Sequence, residues 1–337
     1  MKPETLPLAG LNIVELESIG PVPFAGHLLR RLGAHVTLVG PPGARGAGIP
    51  IADDPLLAGK APLRLDLKDR AGQRELLALL ARSDVLIEGF RPGTLERLGL
   101  DSAVLCAANP TLVVGRCGGW GRESPRGTTA GHDINYLALA GILDAIGPRE
   151  RPVPPLNLVG DFGGGAMHLA LGVISAVLRA RSTGRGCVVE TSIFEAAVSL
   201  TAHLYSLVDA GLWREGRAAN LLDGGAPFYR CYLTADGGWL AIGAIESKFF
   251  AELAEALGAR IDATRQYDRT YWPEIEVEFS RCIVALTRDE WGERLGGSDV
   301  CATPVVSLAE ARLRDDTLFA FDRGAPRTGL RFAEMVS

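Results

Sequence analysis

Apolar runs alternate with amphipathic helical patterns through the first part of the chain. A run at 11–17 precedes a helical pattern at 19–34, in which Pro23 stands near the helix start, and the β-branched run 35–40 follows. The alternation continues with apolar runs at 63–67, 84–90 and 111–117 and helical patterns at 68–80 and 94–100. Short connections between alternating strands and helices predict an α/β fold, a doubly wound parallel sheet covered by helices on both faces.

The later part of the chain has a different pattern. Long apolar helical patterns at 134–146 and 164–181 flank a proline-rich loop, and another apolar helix is predicted at 188–207. From about Asn220 the sequence is aromatic-rich and alternating, with a hairpin turn signal at 235–238. These changes predict a large domain over 1–190, a linker helix over 191–219, a smaller α+β domain over 220–308, and a segment over 310–337 that either returns to the large domain or ends loosely.

Composition narrows the range of functions. The chain has 337 residues, 47% of them apolar and 22% charged, which is typical of a soluble globular protein. The formal net charge is -5 and no long basic run could follow a phosphate backbone, so we expect no nucleic-acid partner. Six cysteines without a Cys-x-x-Cys pair favour free thiols in the cytoplasm. Neither a signal-peptide pattern nor an apolar stretch near the ~20 residues that cross a bilayer is present, so no membrane association is expected.

Familiar catalytic motifs are missing or incomplete. The glycines within 40–48 follow a predicted strand, but no clear helix and no Gly-Lys-Ser/Thr come after them, which favours a surface loop over a phosphate-binding loop. Gly-x-Ser-x-Gly and His-Glu-x-x-His do not occur in the sequence. Serine-hydrolase and zinc-protease functions are therefore disfavoured, and we expect no metal ion.

Two ionisable residues stand where a loop enters an apolar helix. His132 precedes the pattern at 134–146, and Asp161 precedes the glycine-rich start of the next apolar helix. Helix N-termini offer free amide groups and a partial positive charge, which suit a developing oxyanion. Taken singly, Asp161 is equally well interpreted as a helix cap and His132 as a packed, hydrogen-bonded histidine. Together they suggest proton transfer at a carbon atom, which needs titratable groups on two sides.

Ten motifs, in order from about residue 10 to 306, resemble a known family. They include DVLIEGFRPGTLERLGL, NPTLVVGRCGGWG, AGHDINYLALAGILDAIG, PPLNLVGDFGGG, LDGGAPFYRCY, ADGGWLAIGAIE and CATPV. These stretches resemble the family III CoA-transferases, also called the CaiB/BaiF family, and within it the α-methylacyl-CoA racemase branch most of all.

The resemblance implies a large doubly wound domain, a small domain and an interlocked homodimer, in which each site lies between the large domain of one chain and the small domain of the other. It places the catalytic pair on His132 and Asp161 and a supporting glutamate on Glu246. No metal or redox cofactor is implied, because CoA is part of the acyl thioester substrate. The implied substrate contacts are Arg64, Leu65, Asp66, Leu67, Arg91, Gly131, Asp133, Ile134, Asn135 and Tyr136.

The implied reaction is racemisation of a 2-methylacyl-CoA through an enolate. A thioester acidifies its α-hydrogen, so His132 and Asp161 could exchange the α-proton on opposite faces while amides at the start of the GDFGGG helix hold the oxyanion. Three alternatives remain open. Asp161 could be the nucleophile of a CoA-transferase, the same groups could perform enolate chemistry on a substrate without CoA, or the chain could be a non-catalytic binding protein.

Two departures from the family pattern bear on CoA binding. Gly40, Pro41 and Pro42 stand where the family has an acidic residue, an arginine and a proline. Of the basic stretch ahead of LDLK only Lys60 remains, followed by Ala61 and Pro62. Without one charge-assisted hydrogen bond to phosphate, binding is weaker by about 1.5 to 3 kcal/mol, so reduced CoA affinity is expected.

Overall fold

The chain forms two compact units. The computed structural model describes residues 6–43, 51, 54–313, 321–322, 325–326, 330 and 332. The first unit contains the described residues of Met1–Leu143, Pro155–His203 and Phe321–Ser337, and the second those of Asp144–Pro154 and Leu204–Ala320. The segment 191–203, which follows the predicted large domain, thus lies in the first unit, and 204–219 lies in the second.

A six-stranded parallel sheet is the centre of the first unit. Its strands are β1 (Asn12–Leu16), β2 (His35–Gly40), β3 (Ala61–Arg64), β4 (Val85–Glu88), β5 (Val113–Gly118) and β6 (Cys187–Ser192). Their spatial order is β3-β2-β1-β4-β5-β6, and each neighbouring pair is parallel. The order reverses between β1 and β4, and such a reversal opens a crevice at the carboxyl ends of the strands.

Helices cover both faces of this sheet. They are α1 (Pro21–Arg31), α2 (Arg70–Leu80), α3 (Thr94–Arg97), α4 (Ser102–Ala108), α5 (Asp133–Leu139), a π-helix (Leu158–Ala166) continuous with α6 (Met167–Thr183), and α7 (Ile193–Leu200). One buried cluster joins the sheet to α1 and α6 through residues such as Leu29 and Val173. A second cluster joins it to α2 and α4 through Leu76 and Leu105. The predicted α/β sheet covered on both faces is confirmed.

The second unit is an α+β structure around a small antiparallel sheet. Its strands β7 (Tyr229–Leu233), β8 (Trp239–Gly243) and β9 (Ala302–Pro304) lie in that order. The turn predicted at 235–238 joins β7 to β8, and Gly237 adopts the positive φ of 79° that this turn requires. The helices of this unit are α8 (Ala202–Asp209), which begins in the first unit, α9 (Ser247–Leu257), α10 (Trp272–Ile283), α11 (Arg288–Leu295) and α12 (Leu308–Leu313), and 3-10 turns lie at Leu143–Ala145 and Ala263–Arg265. A short antiparallel pair, β10 (Phe321–Asp322) and β11 (Ala325–Pro326), belongs to the first unit.

Two predicted helices are divided differently in the structure. The pattern at 188–207 predicts one helix, but its first residues form β6, and α7 begins at Ile193. Alternating exposure along β6 is typical of an edge strand, and its valines and threonine favour strand geometry. The helix predicted at 134–146 ends at Leu139, because Gly141 adopts a φ of 78°.

One helix is longer than the sequence pattern suggests. The π-helix and α6 form a continuous segment, Leu158–Thr183, that is long and apolar enough to cross a membrane by length and composition alone. The expectation that no stretch approaches this length is therefore wrong. One side of the segment packs into the core of the first unit through Leu169, Val173 and Val177, as the central helix of a globular protein does.

Candidate active site

A cavity of about 280 Å³ opens at the carboxyl edge of the parallel sheet in the first unit. Its walls come from the segments that follow β1 and β4, from the end of β5, and from the loop that leads into α5. This is the position where the strand order reverses, which is the usual ligand site of such a sheet. Five predicted site residues line this cavity: Arg91, Gly131, His132, Tyr136 and Asp161.

His132 lies at the N-cap of α5, as its position before an apolar helix predicts. Its backbone is extended and its amide N–H donates to Oδ1 of Asn135 at 3.0 Å. This hydrogen bond within the first turn fixes the backbone from which the imidazole projects. Asn135 therefore shapes the entrance of α5, while Ile134 is exposed on the helix surface.

Asp161 lies on the same cavity but inside a helix. It is the fourth residue of the π-helix, so its interpretation as a helix N-cap is wrong. Burial, and next the nearby carboxylate of Asp133, raise the pKa of Asp161 to about 6, against the opposing effects of His132 and Asn157. A carboxyl group with this proton affinity can both accept and donate a proton near neutral pH.

Asp133 connects the two segments that carry the catalytic candidates. Its Oδ2 accepts the amide N–H of Asp161 at 2.7 Å, and the residue is buried. The connection is close, since a Cβ added at Gly160 would lie 2.4 Å from the same oxygen. Asp133 was predicted as a substrate contact, but the structure places it between α5 and the π-helix, where it holds Asp161 against the helix that His132 caps.

The π-helix changes the expected oxyanion site. The amide of Asp161 donates to Asp133, and the amide of Phe162 donates to the carbonyl of Asn157 at 3.2 Å. Both groups are therefore engaged within the protein, and the expectation that amides at the start of this helix bind the oxyanion is wrong for these two residues. A π-helix bonds each amide five residues back, which no sequence pattern here indicates.

Aromatic packing closes the opposite wall of the cavity. The hydroxyl of Tyr136 donates to the carbonyl of Gly131 at 2.7 Å, and its ring meets Trp120 edge-on at 4.7 Å between centroids. Gly119 allows this arrangement, because a Cβ there would lie 2.2 Å from the Tyr136 hydroxyl. Gly119 and Trp120 were not among the predicted site residues, although the motif GGWG directly after a buried strand is a usable signal.

The remaining predicted substrate contacts lie further along the same sheet edge. Arg64 ends β3, and its Nη1 is 2.6 Å from Oε2 of Glu17. Leu65 is buried, Asp66 accepts the amide of Lys68 at 2.9 Å, and the carbonyl of Leu67 accepts Nε2 of Gln73 at 3.0 Å. These four residues form the turn from β3 to α2, and Arg64 is paired with a carboxylate.

Lys60 forms a buried ion pair within the first unit. Its Nζ lies 2.6 Å from Oε2 of Glu15, and it also donates to the carbonyl of Pro23 at 2.9 Å. Both side chains of this ion pair are buried, with exposures of 1% and 0%. Lys60, the residue that remains of the basic stretch ahead of LDLK, is therefore part of a buried ion pair with Glu15.

Glu246 lies in the second unit, at the N-cap of α9, and is exposed. The backbone that carries it is held firmly. Nε2 of the buried Gln266 donates to the carbonyls of Ala244 at 3.0 Å and Ile245 at 2.7 Å, and the hydroxyl of Tyr267 donates to Ile245 at 2.6 Å. Glu246 is thus presented to solvent from a fixed backbone.

Comparisons with known proteins agree on one family. The sequence pattern of CoA-transferase family III matches residues 8–322. Mouse α-methylacyl-CoA racemase is 41% identical over 306 residues, which cover 90% of this chain and 79% of the relative. Succinyl-CoA–D-citramalate CoA-transferase of Chloroflexus aurantiacus is 34% identical, covering 86% of this chain and 75% of the relative.

Solved structures show the same fold. A hypothetical protein from Mycobacterium tuberculosis superposes with a TM-score of 0.77 at 27% identity, covering 93% of this chain and 88% of that one. A CaiB/BaiF family protein from Brucella suis also gives a TM-score of 0.77, at 24% identity, covering 98% of this chain and 93% of that one.

Proposed function

Because the chain belongs to CoA-transferase family III, we propose that it is an α-methylacyl-CoA racemase, which removes and restores the α-proton of a 2-methylacyl-CoA thioester. The observation that carries the proposal is that His132 and Asp161 line one cavity, at the switch point of the sheet, and that burial raises the pKa of Asp161 to about 6. The racemase relatives at 41% identity support the same reaction.

The reaction needs two groups that exchange a proton with the α-carbon. The thioester carbonyl acidifies the α-hydrogen, one of the two residues removes it, and an enolate forms. The other residue then returns a proton to the opposite face, which inverts the configuration. Exchanging the roles of His132 and Asp161 reverses the direction. Since both states of Asp161 are populated near pH 6, this residue suits either role.

Racemisation of a 2-methylacyl-CoA in deuterated water tests the proposal directly. The wild type should incorporate deuterium at the α-carbon and convert either enantiomer into a mixture. His132→Ala and Asp161→Ala should each lower racemisation by about 10²- to 10⁴-fold, the usual contribution of a general acid or base. Circular dichroism should show that both variants keep the wild-type fold. Full racemisation in both variants would show that the assigned roles are wrong.

We further propose that the active species is a homodimer and that Glu246 from a second copy orients His132. Support comes from the outer face of α6, where Met167, Leu171 and Leu178 are 51%, 66% and 64% exposed. These residues fall on one stripe of the helix, and an apolar stripe of this kind favours burial against another chain. Sedimentation should give twice the mass of the chain, and a monomer would contradict the proposal.

The transferase alternative uses Asp161 as a nucleophile. In that reaction its carboxylate attacks the acyl thioester, which forms a mixed anhydride and releases CoA thiolate; the thiolate then attacks the Asp161 carbonyl, which releases the first acid and leaves CoA on Asp161 as an enzyme thioester. A second acid takes the CoA by the same steps in reverse. The relatives from Chloroflexus are named CoA-transferases, and this similarity supports transfer of CoA as a second candidate reaction. The two are distinguished by His132→Ala, which should abolish racemisation but leave transfer of CoA between acids. Trapping an acyl-enzyme with hydroxylamine would favour the transferase.

Enolate chemistry on a substrate without CoA has one structural observation in its favour. Arg64 is paired with Glu17 and Lys60 with Glu15, so these two basic side chains already have carboxylate partners within the chain. Calorimetric titration with CoA tests this alternative. Micromolar binding favours a CoA thioester as substrate, whereas no binding, combined with deuterium exchange in a simple thioester, favours a different carrier.

A further inference from the structure

One arginine binds both ends of the loop that carries Arg91. Residues 89–93 connect β4 to α3, and three of them, Phe90, Arg91 and Pro92, line the cavity. Nε of Arg116 lies 3.3 Å from Oε1 of Glu88, the last residue of β4, and its Nη1 lies 3.6 Å from Oε1 of Glu96 in α3. The Arg116 and Glu88 side chains are only 9% and 6% exposed, so their ion pair is shielded from solvent, whereas Glu96 is 36% exposed.

Glu88 also holds the backbone of the loop. Its Oε2 accepts the amide N–H of Phe90 at 2.7 Å, while Oε1 faces Arg116. On the other side the loop packs closely against its neighbours, because a Cβ added at Gly89 would lie 3.0 Å from Cγ2 of Val22 and 3.2 Å from Oγ of Ser18. The loop is therefore confined between α1 and the Glu88–Arg116 pair.

We infer that Glu88 and Arg116 are positioning residues, which fix loop 89–93 so that Arg91 is held at the cavity to bind the CoA thioester. This inference rests on the proposed function, in which the substrate is a CoA thioester. The two residues act through Arg91, since they contribute no atom to the reaction. If the loop were flexible, Arg91 would lose conformational entropy when it binds CoA. Because the ion pairs already hold the loop in the ligand-free protein, that loss does not weaken binding.

The arrangement makes substrate affinity sensitive to pH. The groups facing Glu88 are the Phe90 amide, Arg116 and Cys117 from β5, Arg122 from the loop after β5, and Glu96 from α3. Three further glutamates line the same small cavity as Glu88: Glu123, Glu190 and Glu195. Burial raises the pKa of Glu88 to about 7, with the Phe90 amide and Arg116 opposing the rise. Protonation removes the charge that pairs with Arg116. CoA affinity should therefore weaken as the pH falls through about 7.

Two glutamine substitutions test the positioning role, and a third serves as their control. Glu88→Gln should raise the Kd for CoA at pH 8 by about tenfold, because the side chain loses the charge that faces Arg116 and the Phe90 amide then donates to a neutral oxygen. Near pH 6 the variant and the wild type should converge, because most wild-type Glu88 is then protonated and as uncharged as glutamine. Glu96→Gln should raise the Kd by about threefold, since its ion pair is longer and more exposed. In these variants the KM for a 2-methylacyl-CoA should rise by about the same factor as the Kd for CoA, and kcat should change less.

Glu190→Gln is the matched control. Glu190 pairs with the same two arginines as Glu96, at 3.2 Å from Arg116 and 2.9 Å from Arg122, and has similar exposure, but it lies on β6 and does not flank the loop. Its variant should keep the Kd within about twofold of the wild type. Hydrogen exchange of the ligand-free protein should show faster exchange in 89–93 for Glu88→Gln and not for Glu190→Gln.

The outcomes distinguish this inference from the proposed function. An unchanged Kd and unchanged exchange of 89–93 in Glu88→Gln would overturn the inference, as would equal effects in Glu190→Gln. Wild-type protein that binds CoA but incorporates no deuterium would overturn the proposed racemase alone. If the wild type does not bind CoA, both are wrong. Should Glu88→Gln fail to fold, the contrast between Glu96→Gln and Glu190→Gln decides the question.

Discussion

Asp161 is the residue whose surroundings determine most of the proposed chemistry. An aspartate in water is ionised at neutral pH and is a weak proton donor there. Partial burial beside the Asp133 carboxylate raises the pKa of Asp161 to about 6 in this protein. The protein therefore holds an ionised Asp161 at neutral pH in a position that disfavours the charge, and such groups reduce the stability of the folded state.

Replacing Asp161 with asparagine should stabilise the protein while removing its activity. The folded state holds the Asp161 proton up to about pH 6, while the unfolded chain loses it near the ordinary aspartate value of 3.8, so the ionised carboxylate destabilises the fold at higher pH. Asparagine carries no charge at any pH. Urea unfolding should show Asp161→Asn more stable by about 1 to 2 kcal/mol at pH 8, after allowance for partial solvent exposure.

The pH dependence is the internal control of that measurement. Below about pH 3.5 the carboxyl is mostly protonated in both folded and unfolded protein, so the gain from asparagine should disappear there. A gain of the same size at both pH values would mean that packing, and not charge, is responsible. A variant less stable than the wild type at pH 8 would contradict the assigned pKa direction.

Residue types and spacing predict the catalytic pair but not its supporting contacts. His132 stands at a helix entrance because an extended residue precedes an apolar helical pattern, and that is a local property of the sequence. The sequence shows Lys60 as the residue that remains of the basic stretch ahead of LDLK, but it does not show that Lys60 pairs with Glu15, 45 residues earlier in the chain. Such a pairing depends on how β1 and β3 are placed in three dimensions, which the local pattern does not contain.

At the scale of elements, the π-helix and α5 must meet closely for His132 and Asp161 to share a cavity. Gly164 and Gly165 pack tightly against α7 and α1, where added Cβ atoms would lie 3.3 Å from the amide N of Ala197 and 3.1 Å from Cβ of Pro21. Ring stacking of Phe162 on Phe24 at 4.3 Å joins the π-helix to α1. Two residues of the glycine run, Gly164 and Gly165, therefore serve helix packing.

Gly160→Ala should separate these elements. The new Cβ would lie 2.4 Å from Oδ2 of Asp133, so either the π-helix or α5 has to move and the Asp161–Asp133 hydrogen bond lengthens. We expect a decrease of about 1 to 3 kcal/mol in unfolding free energy, typical of overpacking, together with a lower kcat. Chemical denaturation and the racemisation assay measure the two effects.

Gly118→Ala is the stability control for that substitution. An added Cβ at Gly118 meets nothing within 4 Å, and the residue does not have a positive φ. Its unfolding free energy should stay within about 0.5 kcal/mol of the wild type. Equal destabilisation by the two alanines would show that the clash with Asp133 is not the cause.

The element that sequence patterns misassign is β6. Its residues run without a turn signal into the apolar helix α7, so the two resemble one helical segment. Only the pairing of β6 with β5, from Val113↔Cys187 to Gly118↔Ser192, decides in favour of a strand. The pairing supplies the boundary that the local pattern of β6 lacks, whereas β1, β2, β4 and β5, bounded by turn residues and helices, are predictable.

At the scale of the whole molecule, the proposed homodimer divides each active site between two chains. His132 and Asp161 lie on the first unit, and Glu246 is exposed on the second. If Glu246 acts on His132 of another copy, a dimer of one His132→Ala chain and one Glu246→Ala chain contains one intact site. In that site His132 comes from the Glu246→Ala chain and Glu246 from the other. The second site carries both defects.

Co-expression of the two variants with different affinity tags should therefore restore activity. The purified heterodimer should have about half of the wild-type racemase rate per dimer, while each variant alone is nearly inactive. Mixing the separately purified variants without subunit exchange is the control, since every site in either homodimer then lacks one of the two groups. A heterodimer no more active than the mixture would mean that His132 and Glu246 act within one chain, because neither chain of the heterodimer holds both groups.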